Sequence, residues 1–325
     1  MARTDNDSWD ITESVGATAL GVAMVRAAES DCECPLFTDR YAQFFIDAAT
    51  KRGWDASGAA KRLPLFRGYA AARTKWFDEY FINAGANGIE QAVILAAGLD
   101  ARVWRLPWVN GTVVYEIDQP QVLAFKADTL AARHARPAVR YQPVPIDLRS
   151  DWPTALREAG FDPSTPTAWS AEGVLPYLPA AGQDLLFDRI VKLSATGSRI
   201  AVEALGPSSF DPEYLERRRQ YLRRVQGDAA PDISNLWFLE ERTDLTRWLA
   251  ERGWTFTAIE AAKLMKRYDR SPQGELENLA PRSVFIEARL NGYSESWNSI
   301  TAATESTASL SAASRSAADG AASTA

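Results

Sequence analysis

Along the chain, apolar and polar positions first follow a helical rhythm and then alternate between two kinds of segment. Residues 1–90 read as mainly helical. Thr18 to Glu29 is Ala-rich, with Leu20, Val22, Met24 and Val25 spread around it, and Tyr41 to Thr50 places Phe44 and Phe45 inward. Between them Pro35–Arg40 reads as a turn. Ala70 to Ala84 carries Trp76, Phe77, Tyr80 and Phe81 at i, i+1, i+4 and i+5, which makes one broad apolar face. Arg73 borders that face.

From residue 91 the pattern predicts strands near 92–97, 112–117, 139–144, 166–171, 198–204, 254–260 and 283–290. Helices are predicted near 121–134, 153–159, 181–195 and 241–252. Strand and helix in alternation imply an α/β protein with a largely parallel sheet and right-handed crossovers. The domains follow from this: a helical cap over 1–90, a ligand-binding domain over 91–292, and a tail over 293–325. Within the second, about 205–240 breaks the pattern with an Arg-rich, Pro-punctuated insertion that reads as a lid. The tail is Ser, Ala and Thr, too poor in apolar residues to offset its ordering entropy, and is expected to be disordered.

The most informative stretch is Gln91 to Arg102. Its apolar run has the length and branching of a strand buried on both faces, and it ends in Gly98-Leu99-Asp100. A glycine at such a turn lets a ligand approach the backbone closely. About 20 residues on, the next strand ends in Glu116-Ile117-Asp118. An acid at that strand tip can accept hydrogen bonds from ribose hydroxyls. Glu116 and Asp118 share a strand face and both are candidates. The turn has one glycine, not Gly-x-Gly-x-x-Gly. That disfavours a pyrophosphate, hence NAD, and is compatible with a phosphate-free nucleoside such as S-adenosylmethionine. Asp147 and Leu148 follow the third strand, where they can meet an adenine ring; equally, Asp147 can cap the turn after it. Glu172 ends the fourth strand and requires a cationic partner, for which an ammonium or sulfonium is suited.

Composition narrows the picture. The 325 residues are 46% hydrophobic and 24% charged, with net charge −6. The acidic balance argues against a nucleic-acid partner. The basic run Glu216 to Arg224 reads as a solvated helix face. One histidine, His134, and two cysteines one residue apart, Cys32 and Cys34, supply neither a metal site nor a mutual disulfide. Few cysteines, a polar N-terminus and the lack of a long apolar span imply a cytoplasmic protein with no membrane partner.

Six segments together resemble the leucine carboxyl methyltransferase-like family of S-adenosylmethionine-dependent enzymes, in its bacterial branch. They are Glu13–Ala19, Ala72–Asp78, Ile94–Arg102, Tyr115–Pro120, Val144–Arg149 and Trp169–Pro179. The resemblance spans about residues 5–290. It implies a Rossmann-like class I methyltransferase fold, with seven mostly parallel strands and an antiparallel last strand. It also implies that Arg73 holds the carboxylate of the methionine portion and that Gly98 contacts the methionine portion and ribose. Asp118 would be the ribose acid, Asp147 and Leu148 the adenine pair, and Glu172 the acid near the ligand's amino group. The expected activity is methyl transfer to a small-molecule or peptide carboxylate, which needs no base. Tyr177, Tyr214 and Tyr221 are candidate acceptor-side residues. A ligand-binding pseudo-enzyme and an NAD(P)-dependent oxidoreductase are the competing readings.

Overall fold

The computed structural model describes residues 14–226 and 237–291, without the side chains of 14–17. The expected tail over 293–325, the segment before Ser14 and the centre of the expected lid lie outside the described residues.

Three helices come first: α1 (Ser14–Ser30), α2 (Ala42–Lys51) and α3 (Ser57–Ala86). Seven strands follow: β1 (Gln91–Leu95), β2 (Val113–Asp118), β3 (Arg140–Pro145), β4 (Thr167–Ala171), β5 (Arg199–Leu205), β6 (Trp254–Glu260) and β7 (Ser283–Leu290). Each coincides with a predicted strand to within two residues. They form one sheet in the order β3-β2-β1-β4-β5-β7-β6. Strands β1 to β5 pair in parallel, and β7 runs antiparallel to both β5 and β6.

Burial explains this order. All five residues of β1 and of β4 are buried, as the centre of a two-faced sheet requires. Ala92 and Ile94 join the core on the α1–α3 face, while Val93 and Leu95 join the opposite core with Trp169 and Trp152. At one edge, β3 carries Pro143 and Pro145, which cannot donate to a ladder on both sides. At the other edge, most of β6 faces solvent. The face predicted over Trp76–Phe81 packs as expected, with Phe285 of β7 seated 5.3 Å from the Trp76 ring and 6.4 Å from Phe77.

The crossovers are α4 (Arg102–Arg105), α5 (Pro120–Ala131), α6 (Trp152–Glu158), α7 (Ala180–Lys192), α8 (Pro212–Gln226), α9 (Leu245–Ala250) and α10 (Ala261–Arg267). Besides the short α4, which the sequence reading did not include, two features depart from it. Helix α3 begins at Ser57, 13 residues before its strong pattern, and runs through Pro64. Proline removes one hydrogen bond, but contacts with α1 and α8 hold this turn helical. Helix α10 was not anticipated either. It is short and its sequence has only a weak apolar period, so its packing on α3 and β6 decides it. The chain leaves β1 toward β2 and β3 on one side, and adds β4 and β5 on the other. The C-terminal ends of β1 and β4 therefore bound the crevice where such sheets bind ligands.

Candidate active site

A cavity of about 240 Å³ fills that crevice. Its floor is the bend after β1. Ala96 and Gly98 both adopt left-handed backbone, with φ of 51° and 50°. The sequence signalled Gly98 but not Ala96, where an L-residue carries the strain. Asp118 fixes the bend: its carboxylate accepts the Gly98 N–H at 2.6 Å and the Gln119 N–H at 2.6 Å. Burial raises the Asp118 pKa, against the pull of these two donors. Both oxygens keep lone pairs for a further donor.

Of the two candidate acids on β2, Glu116 does not reach the cavity. It is fully buried and paired with Lys126 at 2.6 Å, away from the cavity lining. Burial pushes its pKa up to about 7, with Lys126 opposing. Asp147 and Leu148 both line the cavity. The Asp147 carboxylate accepts the Arg149 N–H at 2.7 Å and the Gln119 side-chain amide at 2.5 Å. The turn-capping role and the cavity-lining position are thus both realised.

At the far end, Arg73 and Glu172 meet. Arg73 Nε lies 2.9 Å from Glu172, and its Nη1 donates to Glu203 at 3.0 Å. Burial works against the Arg73 charge, but Glu203 and Glu172 more than compensate and raise its pKa. Arg73 Nη2 has no partner among the described residues. Glu172 also accepts from Arg102 Nη1 at 2.7 Å. The cation that Glu172 requires is therefore supplied first by two arginines of the chain itself.

Arg102 was named in a motif but given no role by the sequence. It is buried and joins Asp78, Asp100 and Glu172. Burial resists ionisation of Asp100, but Arg102, Lys126, Arg26 and Arg105 overcome it and hold its pKa at about 2. A depressed folded-state pKa gives stability that is present above the ordinary carboxylate range and lost as pH falls through the folded value. Between about pH 4 and pH 2 this carboxylate should cost the fold about 2 kcal/mol. Urea titrations of wild type and Asp100→Asn across that range test this. The variant should be less stable at pH 6 and show a shallower acid limb; equal limbs would remove Asp100 as the cause.

A second cavity of about 170 Å³ adjoins the first. The two share Thr18, Val22, Arg73, Gly173 and Tyr177. Gly173 has φ of 67°, and a Cβ there would stand 3.4 Å from Arg73 Nη1. Tyr69 of α3 donates to Glu203 of β5 and hydrogen-bonds Ser283 at 2.8 Å. Glu203 gave a readable signal, an acid inside the apolar run of β5, that the sequence reading passed over. Tyr214 lines this cavity, buried, with its hydroxyl on the Ala280 carbonyl at 3.1 Å. Tyr221 lines neither cavity. The basic run on α8 needs one correction: Arg218 turns inward and is buried, because its guanidinium stacks 4.8 Å from the Phe66 ring. His134 is exposed and lines neither cavity.

The leucine carboxyl methyltransferase family model matches residues 19–191, which run from within α1 to the last turn of α7 and include β1 to β4. The chain belongs to the leucine carboxyl methyltransferase family. It is accordingly an S-adenosylmethionine-dependent methyltransferase. A relative from Mycolicibacterium paratuberculosis, named "Putative S-adenosyl-L-methionine-dependent methyltransferase", is 51% identical over 89% of this chain and 97% of its own. A Mycobacteroides abscessus protein of the same name is 50% identical over 89% and 99%. Among solved structures, a DUF574 family protein from Streptomyces avermitilis superposes with a TM-score of 0.49 at 17% identity, over 82% of this chain and 96% of that one. No helix among the described residues is long and apolar enough to cross a membrane.

The first cavity fits the family's cofactor. An acid with spare lone pairs, a backbone bend without a Cβ, an apolar wall at Val122, Ile146 and Leu148, and an arginine with an unused Nη2 follow one another along it.

Proposed function

We propose that this methyltransferase forms methyl esters, with a carboxylate as acceptor. The observation that carries the reading is the charge of the second cavity. Arg62, Arg73, Arg218 and Arg282 line it against one lining acid, Glu203; Arg282 also pairs with Asp211 and Arg73 with Glu172, which leaves Arg62 and Arg218 without a carboxylate among the described residues. Glu203 already receives Arg73, Tyr69 and Ser283, so it is engaged rather than free to deprotonate an acceptor. A carboxylate arrives ionised at neutral pH and requires no base. An open second cavity also speaks against a pseudo-enzyme.

S-adenosylmethionine supplies an electrophilic methyl group on a sulfonium. The chain's part is to hold two reactants in line. Asp118 would accept from the ribose hydroxyls, with the bend at Gly98 against the methionine portion and ribose. Asp147 would accept from the adenine amino group, with Leu148 on the ring. Arg73 Nη2 would donate to the methionine carboxylate, and Glu172 would accept from its amino group. Tyr177, common to both cavities, borders the point where the reactants meet. Bound there, the cofactor would supply the methyl group: an acceptor carboxylate oxygen would form the new carbon–oxygen bond as the sulfur–carbon bond breaks, its electron pair remaining on sulfur.

The test is to incubate the protein with methyl-labelled cofactor and a panel of carboxylic acids, alcohols and amines. Transferred label should be released as methanol by mild alkali, as esters are. Label that withstands alkali, on an oxygen or nitrogen of another class, would overturn the reading.

A further inference from the structure

We propose that the second cavity takes a monocarboxylate with a compact apolar body, and that Arg62 holds its carboxylate. This rests on the carboxylate-acceptor reading and narrows it. Helix α3 carries Arg62, Phe66, Tyr69 and Arg73 at successive steps of four, three and four residues, so they share one face. That face runs from the second cavity to the first, and all four residues line the second. Arg73 reaches both cavities and is bound to Glu172 and Glu203. Arg62 makes no ion pair or hydrogen bond with any described residue. It is nonetheless half-buried, and burial lowers its pKa. A cation withdrawn from water without a counter-ion is costly, and an anion entering the cavity offsets that cost.

Two more observations point the same way. Arg218 is buried, and the groups it bonds are neutral: the Tyr214 hydroxyl at 2.8 Å and the Leu279 carbonyl at 3.1 Å. Trp237 Nε1, which lines the same cavity, is a buried donor with no acceptor among the described residues. The cavity thus holds an excess of positive charge and a spare donor. The rest of its wall is apolar, including Leu63, Phe66, Leu205, Leu215 and Trp237. Its volume of about 170 Å³ is room for a compact body. An engineered apolar cavity of about 150 Å³ admits benzene. A single ring or a chain of about six carbons matches that volume; because Arg73 and Arg282 are already paired with carboxylates and Arg218 is engaged by Tyr214 and Leu279, a second charge would find no free cation beside Arg62.

The probes are benzoate and hexanoate, with benzamide, benzyl alcohol and succinate as controls. Binding is measured by calorimetry on the full chain saturated with S-adenosylhomocysteine. Benzoate and hexanoate should bind, the neutral analogues and succinate at least tenfold more weakly. Arg62→Gln should weaken benzoate at least tenfold, and Arg62→Lys should restore part of the loss. Affinity for S-adenosylhomocysteine and the thermal midpoint should not move in either variant, which guards against misfolding. No binding of benzoate or hexanoate, or binding that Arg62→Gln leaves unchanged, overturns the proposal. The two readings fail separately. Methylation of succinate or a peptide carboxylate in preference to the apolar acids would sink this proposal and leave ester formation intact. Arg62-dependent binding of benzoate without ester formation would sink the ester reading alone.

Discussion

Replacing Asp118 with alanine is expected to weaken S-adenosylmethionine binding by about 100-fold or more while leaving the chain folded. A hydrogen bond to a charged acceptor contributes about 1.5–3 kcal/mol, and in the proposed binding mode two ribose hydroxyls share this carboxylate. The substitution also frees the Gly98 N–H, so the bend at Ala96 and Gly98 keeps the Ala97 N–H bond to the Ile117 carbonyl but loses its shorter tie to β2. Asp118 sits at the strand tip and is partly exposed, so the core does not depend on it. Asp118→Asn keeps the shape and one acceptor oxygen, and should lose less. Calorimetry with the cofactor and its demethylated product measures both. Undiminished affinity in the alanine variant would show that the ribose is held elsewhere.

The second large effect is on stability. Arg102→Leu should cost about 3–5 kcal/mol, the range for removing one partner from a buried charge network. Leucine fills much of the space, so the loss is electrostatic. Asp100 keeps no equivalent direct cation, and Glu172 retains only Arg73. Asp78 is buffered, because Arg105 Nη1 lies 2.5 Å from it. The urea midpoint at pH 7 reads the change. A drop smaller than about 1 kcal/mol would show that these carboxylates take up protons or find other cations, unlike the paired state described above. Cofactor affinity should fall as well, since Glu172 would lose one of the two arginines that orient it.

Why some of the site could be read directly and some could not follows from distance along the chain. Gly98 and Asp118 lie 20 residues apart in one strand–turn–helix–strand unit, and local pattern is enough to pair them. Asp147, Leu148 and Glu172 each follow a strand, so the parallel order alone carries them to the same edge. Glu116 and Asp118 were indistinguishable by strand periodicity. Lys126 separates them: placed by α5 behind the sheet, it takes Glu116 into the core. Arg218 was read as one more solvated residue of a basic run, because sequence shows charge but not which face of α8 meets Phe66.

The sequence by itself determined the strands, their parallel alternation, the glycine bend and the acids at the strand tips, since each depends on the periodicity or steric freedom of a few neighbouring residues. Only the tertiary structure decided which charges are spent on one another and which remain for ligands. Arg73 and Glu203 are 130 residues apart, Arg102 and Glu172 are 70 apart, and Arg62 has no acid at all among the described residues. Whether a buried charge is satisfied is a property of the space around it, and that space is assembled from segments that carry no record of each other.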